Sequence, residues 1–75
     1  MSNYYEQKRI NRLQNIQKWL RNESPLPLSK AEAEISLNWG VARSTAREYL
    51  DLLETADRIA VENEEVTYIE EEAEA

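Results

Sequence analysis

The 75-residue chain contains no cysteine, no histidine and only one glycine. Without cysteine there is no disulfide framework and no thiolate nucleophile, and without histidine the commonest zinc ligand and general base are missing. One glycine is too few for a glycine-rich phosphate-binding loop. A chain this short buries only about 60% of its unfolded surface, which leaves little volume for a deep active-site cleft. The sequence therefore predicts that the protein is not an enzyme and holds no metal or cofactor.

Long apolar runs are missing as well. No stretch approaches the roughly 20 apolar residues that a transmembrane helix needs, and the first ten residues lack the apolar core of a secretory signal. We therefore expect a cytoplasmic protein without a membrane partner, and no feature of the sequence indicates a small-molecule ligand. The length is that of one small domain.

The charge of the chain is −6 and is distributed unevenly. Residues 1–21 carry five basic residues and one acidic residue, whereas residues 62–75 carry seven glutamates and no basic residue. The low isoelectric point therefore describes the C-terminal end and does not exclude an anionic partner. We predict a domain over residues 1–69 and a solvated, disordered acidic tail over residues 70–75. Two alternatives for the tail remain open, an intramolecular competitor for the basic surface and a docking segment for a basic partner.

The periodicity of apolar residues predicts a first helix over residues 4–22. Its apolar face consists of Tyr5, Ile10, Leu13, Ile16 and Leu20. Pro25 stops this helix, because the residue before a proline is pushed out of the helical region. Residues 26–28, which include a second proline, are predicted to form a connector or an edge strand.

A second helix is predicted from Lys30 to about Trp39. Ser29 and Glu32 have the spacing of a capping box, in which each side chain accepts a hydrogen bond from a free N–H of the first turn. Gly40 is predicted to end the helix, because glycine readily takes a positive φ.

A third helix is predicted from Ala42 or Arg43 to about Ala56. Its inward stripe is predicted to consist of Ala42, Ala46, Tyr49, Leu50 and Leu53. Its outward face is predicted to carry Arg43, Ser44, Arg47, Glu48 and Asp51. This separation of apolar from polar side chains is typical of a helix that packs with one side on a core.

From Ile59 onward the apolar period changes to two, which predicts a β-hairpin. Ile59 and Val61 share one face of its first strand, and Val66 and Tyr68 share one face of its second strand. Asn63 and Glu64 mark the turn. Glutamate is a poor second turn residue, which leaves open a loop of more than two residues.

Residues 35–50, ISLNWGVARSTAREYL, resemble the helix-turn-helix of winged-helix transcription regulators. Residues 50–68 resemble the end of the recognition helix followed by the wing. The resemblance implies a mainly α, α+β fold with three helices and a C-terminal β-hairpin. It also implies sequence-specific binding of double-stranded DNA by a small transcription regulator, with residues 43–55 in the major groove and a homodimer as the binding species.

The candidate DNA-binding residues are Arg43, Ser44, Thr45, Arg47, Glu48 and Lys30. The first five lie in the N-terminal half of the third helix, where side chains reach base edges or phosphates and where the helix terminus itself favours an anion. Four of the six have a structural alternative. Arg47 can pair with Asp51 along the helix, Ser44 and Thr45 can be local caps, and Lys30 can be an ordinary exposed lysine.

The sequence departs from the family at several points. Ala42 stands where a capping Ser or Thr is usual, which removes about 1 kcal/mol of helix stabilisation, and Asp57 stands where a glycine commonly ends the recognition helix. The hairpin tip, residues 63–65, is acidic and would be repelled by DNA phosphates. The alternative function is therefore a winged-helix module that binds another protein and does not contact DNA.

Other conspicuous residues are predicted to be structural. The basic residues Lys8, Arg9, Arg12 and Lys18 of the first helix are predicted to form a solubilising face. The aromatic residues Trp19, Trp39 and Tyr49 are predicted to belong to the core and not to stack on bases. Tyr4 and Tyr5 are predicted to act either as a hydrophobic staple or as a dimer contact.

Overall fold

The computed structural model describes the backbone of residues 4–70 and the side chains of residues 7–70. The elements are α1 (Tyr4–Glu23), β1 (Leu26–Pro27), α2 (Leu28–Trp39), α3 (Arg43–Thr55), β2 (Ile59–Glu62) and β3 (Glu65–Tyr68). The three strands form one antiparallel sheet in the order β1-β3-β2. This arrangement of three helices and a C-terminal hairpin is the α+β, winged-helix layout that the sequence predicts.

Among the described side chains of α1, those that pack on the core begin at Leu13. Ile16 and Leu20, one turn apart, are fully buried, and Leu13 packs partly against the core. Ile10, however, is 46% exposed, so its predicted place on the buried face is wrong. A helix of 20 residues is about 30 Å long, and side chains 7–11 are all exposed, because this part of α1 lies beyond the elements that cover its second half. The side chains of Tyr4 and Tyr5 lie outside the described residues.

The start of α2 differs from the prediction. The helix begins at Leu28, and its N-cap, Pro27, makes no side-chain capping bond. Ser29 therefore lies inside the first turn, and the predicted capping box is wrong. The N–H of Leu28 instead donates to the carbonyl of Glu64, at 2.8 Å. The turn of the hairpin thus supplies an acceptor for the first N–H of α2.

The turn between α2 and α3 is closed by three hydrogen bonds to and from Ser36. Gly40 takes a left-handed conformation, φ +66°, as predicted, and its N–H donates to the Ser36 carbonyl. The N–H of Val41 donates to the same carbonyl at 3.2 Å, and the Ser36 hydroxyl donates to the Val41 carbonyl. These bonds fix the direction in which α3 leaves the turn.

One side of α3 is seated on the core. Its buried residues are Ala46, Tyr49, Leu50 and Leu53. Ala42, which the prediction places on this stripe, is exposed, because it precedes the helix as an N-cap without a side-chain bond. Arg12 donates from α1 to the Tyr49 hydroxyl at 3.1 Å, so one of the predicted solubilising residues ties two helices together. Asp57, shortly after the end of α3, has φ +63°. This left-handed conformation is the one for which glycine is usual at that position.

The β2–β3 hairpin is closed by a two-residue turn, the commonest and shortest type of hairpin turn. Glu62 pairs with Glu65, and the two residues between them, Asn63 and Glu64, have φ +53° and +61°. Positive φ at both positions is typical of a type I′ turn. The alternative of a longer loop is therefore wrong, and the bond from Leu28 to Glu64 explains how a glutamate is held in this conformation.

The core lies between the helices and the sheet. Its fully buried large side chains are those of Ile16, Leu20, Ile35, Leu50, Ile59 and Val66. Trp19 and Trp39 pack against its edge with their rings 6.0 Å apart in an edge-to-face geometry. Both indoles are half-buried, so their predicted place in the core is confirmed only in part, whereas Tyr49 lies in the core as predicted. No helix within residues 4–70 combines the length and the apolar character that crossing a bilayer requires.

Candidate nucleic-acid interface

The outward face of α3 carries two arginines one turn apart. The side chains of Arg43 and Arg47 are 57% and 55% exposed. They point away from the core because Ala46, Leu50 and Leu53 hold the opposite side of the helix against it. The two guanidinium groups therefore lie on one open surface, at the N-terminal half of the helix.

A carboxylate from α2 bridges these two arginines. One oxygen of Glu32, Oε1, lies 3.2 Å from Nη2 of Arg43, and the other, Oε2, lies 3.0 Å from Nη1 of Arg47. The Glu32 side chain is only 13% exposed. Ion pairs to a largely buried carboxylate are stronger than fully exposed ion pairs, because less water competes for the carboxylate. Glu32 thus fixes the spacing and the orientation of both guanidinium groups.

Each arginine has one further partner. Arg43 also donates to the carbonyl of Ser29, at 3.4 Å, and Nε of Arg47 lies 3.7 Å from Oδ1 of Asp51. The second contact is the pair along the helix that the sequence leaves open as an alternative for Arg47. A guanidinium group has five N–H donors, so each arginine retains donors for an acceptor that approaches from outside.

The other predicted interface residues lie around this pair. Ser44 and Glu48 are exposed on α3, whereas Thr45 is half-buried at the edge of the outward face. Lys30 is exposed in the first turn of α2, directly after Ser29, whose carbonyl Arg43 contacts. The structure therefore brings the two arginines together, with Ser44, Thr45 and Glu48 beside them on α3 and Lys30 on the neighbouring helix α2.

The net charge of this surface is close to zero. Its cations are Lys30, Arg43 and Arg47, and its carboxylates are those of Glu32, Glu48 and Asp51. The N-terminus of α3 adds a partial positive charge at the arginine end. Such a surface attracts polyanions weakly at long range, so binding would depend on contacts at short range.

The sequence does not indicate that Glu32 bridges the two arginines of this surface. Its position three residues after Ser29 matches a capping box, and no local pattern relates it to arginines 11 and 15 residues further along the chain. Only the crossing of α2 and α3 brings these side chains together. The contact of Glu32 with the two arginines can therefore be recognised only in the folded structure.

The hairpin tip adds negative charge at the start of α2, the same end of the helix that carries Lys30. Glu62, Glu64 and Glu65 are all exposed, and Glu62 and Glu65 stand directly opposite each other on the paired strands. The tip is also held against the start of α2 through the Leu28 N–H. It is therefore a short, anchored, acidic wing.

The arrangement offers donors for recognition and no metal cage. Within the described residues, no group of three or more carboxylates is placed to hold a metal ion. What the surface can do is donate hydrogen bonds from two held guanidinium groups to phosphate oxygens or base edges. No protein-family model, curated protein or solved structure matches this chain.

Proposed function

We propose that the chain is a sequence-specific, double-stranded DNA-binding protein, a small transcription regulator that inserts α3 into the major groove. The observation that carries this proposal is the pair Arg43 and Arg47. They lie one turn apart, more than half exposed, on the N-terminal half of a helix whose other side is core. A major groove about 12 Å wide admits one such helix.

Glu32 supports a reading function for the arginines. An arginine recognises guanine through two parallel hydrogen bonds to O6 and N7, which requires a fixed orientation of the guanidinium plane. The carboxylate of Glu32 holds both planes before DNA arrives, which reduces the side-chain entropy lost on binding. The carboxylate also weakens the sequence-independent attraction of the protein to DNA phosphates, because it cancels positive charge beside the two arginines.

The small size of the surface favours a homodimer. A single recognition helix contacts few base pairs, and two-fold symmetric regulators read half-sites about 34–36 Å apart along the duplex. We therefore propose that two copies bind a palindromic site.

Replacing Glu32 with glutamine separates these two contributions of the carboxylate. We expect Glu32→Gln to bind random-sequence duplex roughly fivefold more tightly, since one charge at 4 Å in water is worth about 1 kcal/mol. We also expect its preference for a selected site over random sequence to fall, because the arginines lose their common anchor. Fluorescence anisotropy with both duplexes measures the two affinities.

The matched control is Glu34→Gln, the same substitution two residues along α2. Glu34 contacts neither arginine through any hydrogen bond or ion pair between described side chains. The positioning function of Glu32 is refuted if both variants keep the full preference for the selected site.

A second candidate function is a winged-helix module that binds a protein. The acidic wing and the near-neutral face of α3 favour it, because both reduce the attraction to phosphates. The two functions differ in their response to salt. DNA binding weakens steeply as salt rises because counterions are released, whereas an apolar protein interface does not.

Selection of bound duplexes from a random pool with the purified chain tests the proposed function. Enrichment of a palindrome supports both DNA reading and dimerisation. A pool that remains random, with no duplex retained at low salt, contradicts the proposal and leaves the protein-binding function.

A further inference from the structure

A groove of about 340 Å³ lies between α1 and the base of the hairpin, away from the candidate interface. The residues that line it are Gln14, Gln17, Lys18, Arg21, Arg58 and Tyr68. We call it the basic groove, since its lining includes three cations and no carboxylate. The four residues from α1 have the spacing i, i+3, i+4 and i+7, so they form one stripe along that helix.

The acidic end of the chain begins at the mouth of the basic groove. Glu70 follows β3 closely, and its Oε2 lies 3.4 Å from Nε of Arg21. The guanidinium group of Arg21 also stands over the ring of Tyr68, 6.0 Å from its centroid. Three more glutamates follow within the next four residues, at positions 71, 72 and 74; these positions lie outside the described residues.

We propose that the basic groove is a docking site for an acidic peptide and that its occupant is the chain's own segment 70–74. The lining of the groove includes the cations of Lys18, Arg21 and Arg58, and the segment carries four glutamates. This complementarity is specific to the C-terminal end of the chain, where no basic residue follows Arg58. The inference does not depend on the proposed function of α3.

The length of the segment fits the groove. Five extended residues span about 16–18 Å, and the stripe from Arg21 back to Gln14 is about 10 Å long. In an extended segment, residues 70, 72 and 74 point to the same side. Three carboxylates can therefore face the stripe. The first, that of Glu70, pairs with Arg21, and the next two can contact Lys18 and the side-chain amides of Gln17 and Gln14.

Docking within the same chain requires little affinity per contact. The pair of Arg21 and Glu70 is more than half exposed on both sides, and an exposed pair by itself contributes only about 0–1 kcal/mol. A tethered segment, however, has an effective concentration in the millimolar range, so a few such contacts suffice. The bound segment covers the basic end of α1 and keeps other polyanions from it.

A nitroxide label on the full chain tests this inference. Because the chain has no cysteine, Ala75→Cys provides a unique labelling site at the end of the segment. We expect the backbone amide signals of Gln14, Gln17 and Lys18 to lose at least about half their intensity relative to the reduced label, since a tethered ligand of this kind is mostly bound. The loss should disappear in 1 M salt, where the Debye length is about 3 Å.

Two charge reversals make the test specific. Lys18→Glu, in the groove, should restore the signals, whereas Lys30→Glu, the same change at an exposed lysine outside the groove, should leave them weakened. The proposal is overturned if the α1 amides keep their intensity or if both reversals act equally. It is likewise overturned if the amides of Arg43 and Arg47 are weakened instead, because the segment then covers the face of α3.

Discussion

Leu50→Ala is expected to lower the free energy of unfolding by about 2–5 kcal/mol. Leu50 is 1% exposed and lies on the inner side of α3, in one cluster with Ile35 and Ile59. The truncation leaves a cavity at the place where α3 is seated. A chain of this length has a total stability of roughly 4–11 kcal/mol, so the variant should be close to unfolding. The midpoint of urea unfolding, followed by tryptophan fluorescence, measures the loss.

The control for this effect is Leu37→Ala in α2. It is the same substitution in another helix, but Leu37 is 79% exposed, so we expect a change within about 0.5 kcal/mol. If the two variants lost similar stability, the assignment of the inner and outer sides of these helices would be wrong.

The second large effect is expected on DNA binding. Arg47→Ala should weaken binding to a selected duplex by about 1–3 kcal/mol, which is about 5- to 150-fold. Arg47 is held by Glu32 and Asp51 with its guanidinium group on the open face, so the substitution removes an oriented donor and not only a charge. Anisotropy titrations at constant salt give the affinities.

Arg21→Ala is the matched control. Arg21 is also more than half exposed and also pairs with a carboxylate, that of Glu70, so the substitution removes the same charge from a similar surface position. We expect its effect on duplex affinity to be small. Equal losses in Arg21→Ala and Arg47→Ala would show that binding responds to net charge alone, and the function assigned to α3 would have to be abandoned.

The features of the fold that the sequence predicts correctly are those determined by neighbouring residues. Gly40 ends α2 because a left-handed residue is needed there, and the period of Ala46, Leu50 and Leu53 sets the buried side of α3. The outward direction of Arg43 and Arg47 follows from the same period. Local chemistry determines each of these features, so no knowledge of the fold is required.

The features that the sequence does not predict depend on contacts between distant segments. The first N–H of α2 is satisfied by Glu64, 36 residues along the chain, and the helix begins one residue before Ser29, so the predicted cap at Ser29 does not form. Glu32 is then free to bridge the two arginines. Ile10 is exposed because the core ends before it, a limit that the periodicity of α1 cannot reveal.

The most direct test of the account is duplex binding at low salt by the full chain and by the double variant Arg43→Ala, Arg47→Ala. Removal of both arginines leaves the largely buried carboxylate of Glu32 without its partners and should lower the thermal stability, so thermal unfolding of the same samples must show that the double variant is folded at the assay temperature. We predict that the full chain retains duplex, with an affinity that falls as salt rises, and that the double variant retains none. Absence of duplex binding by the full chain, or equal binding by both proteins, would contradict it.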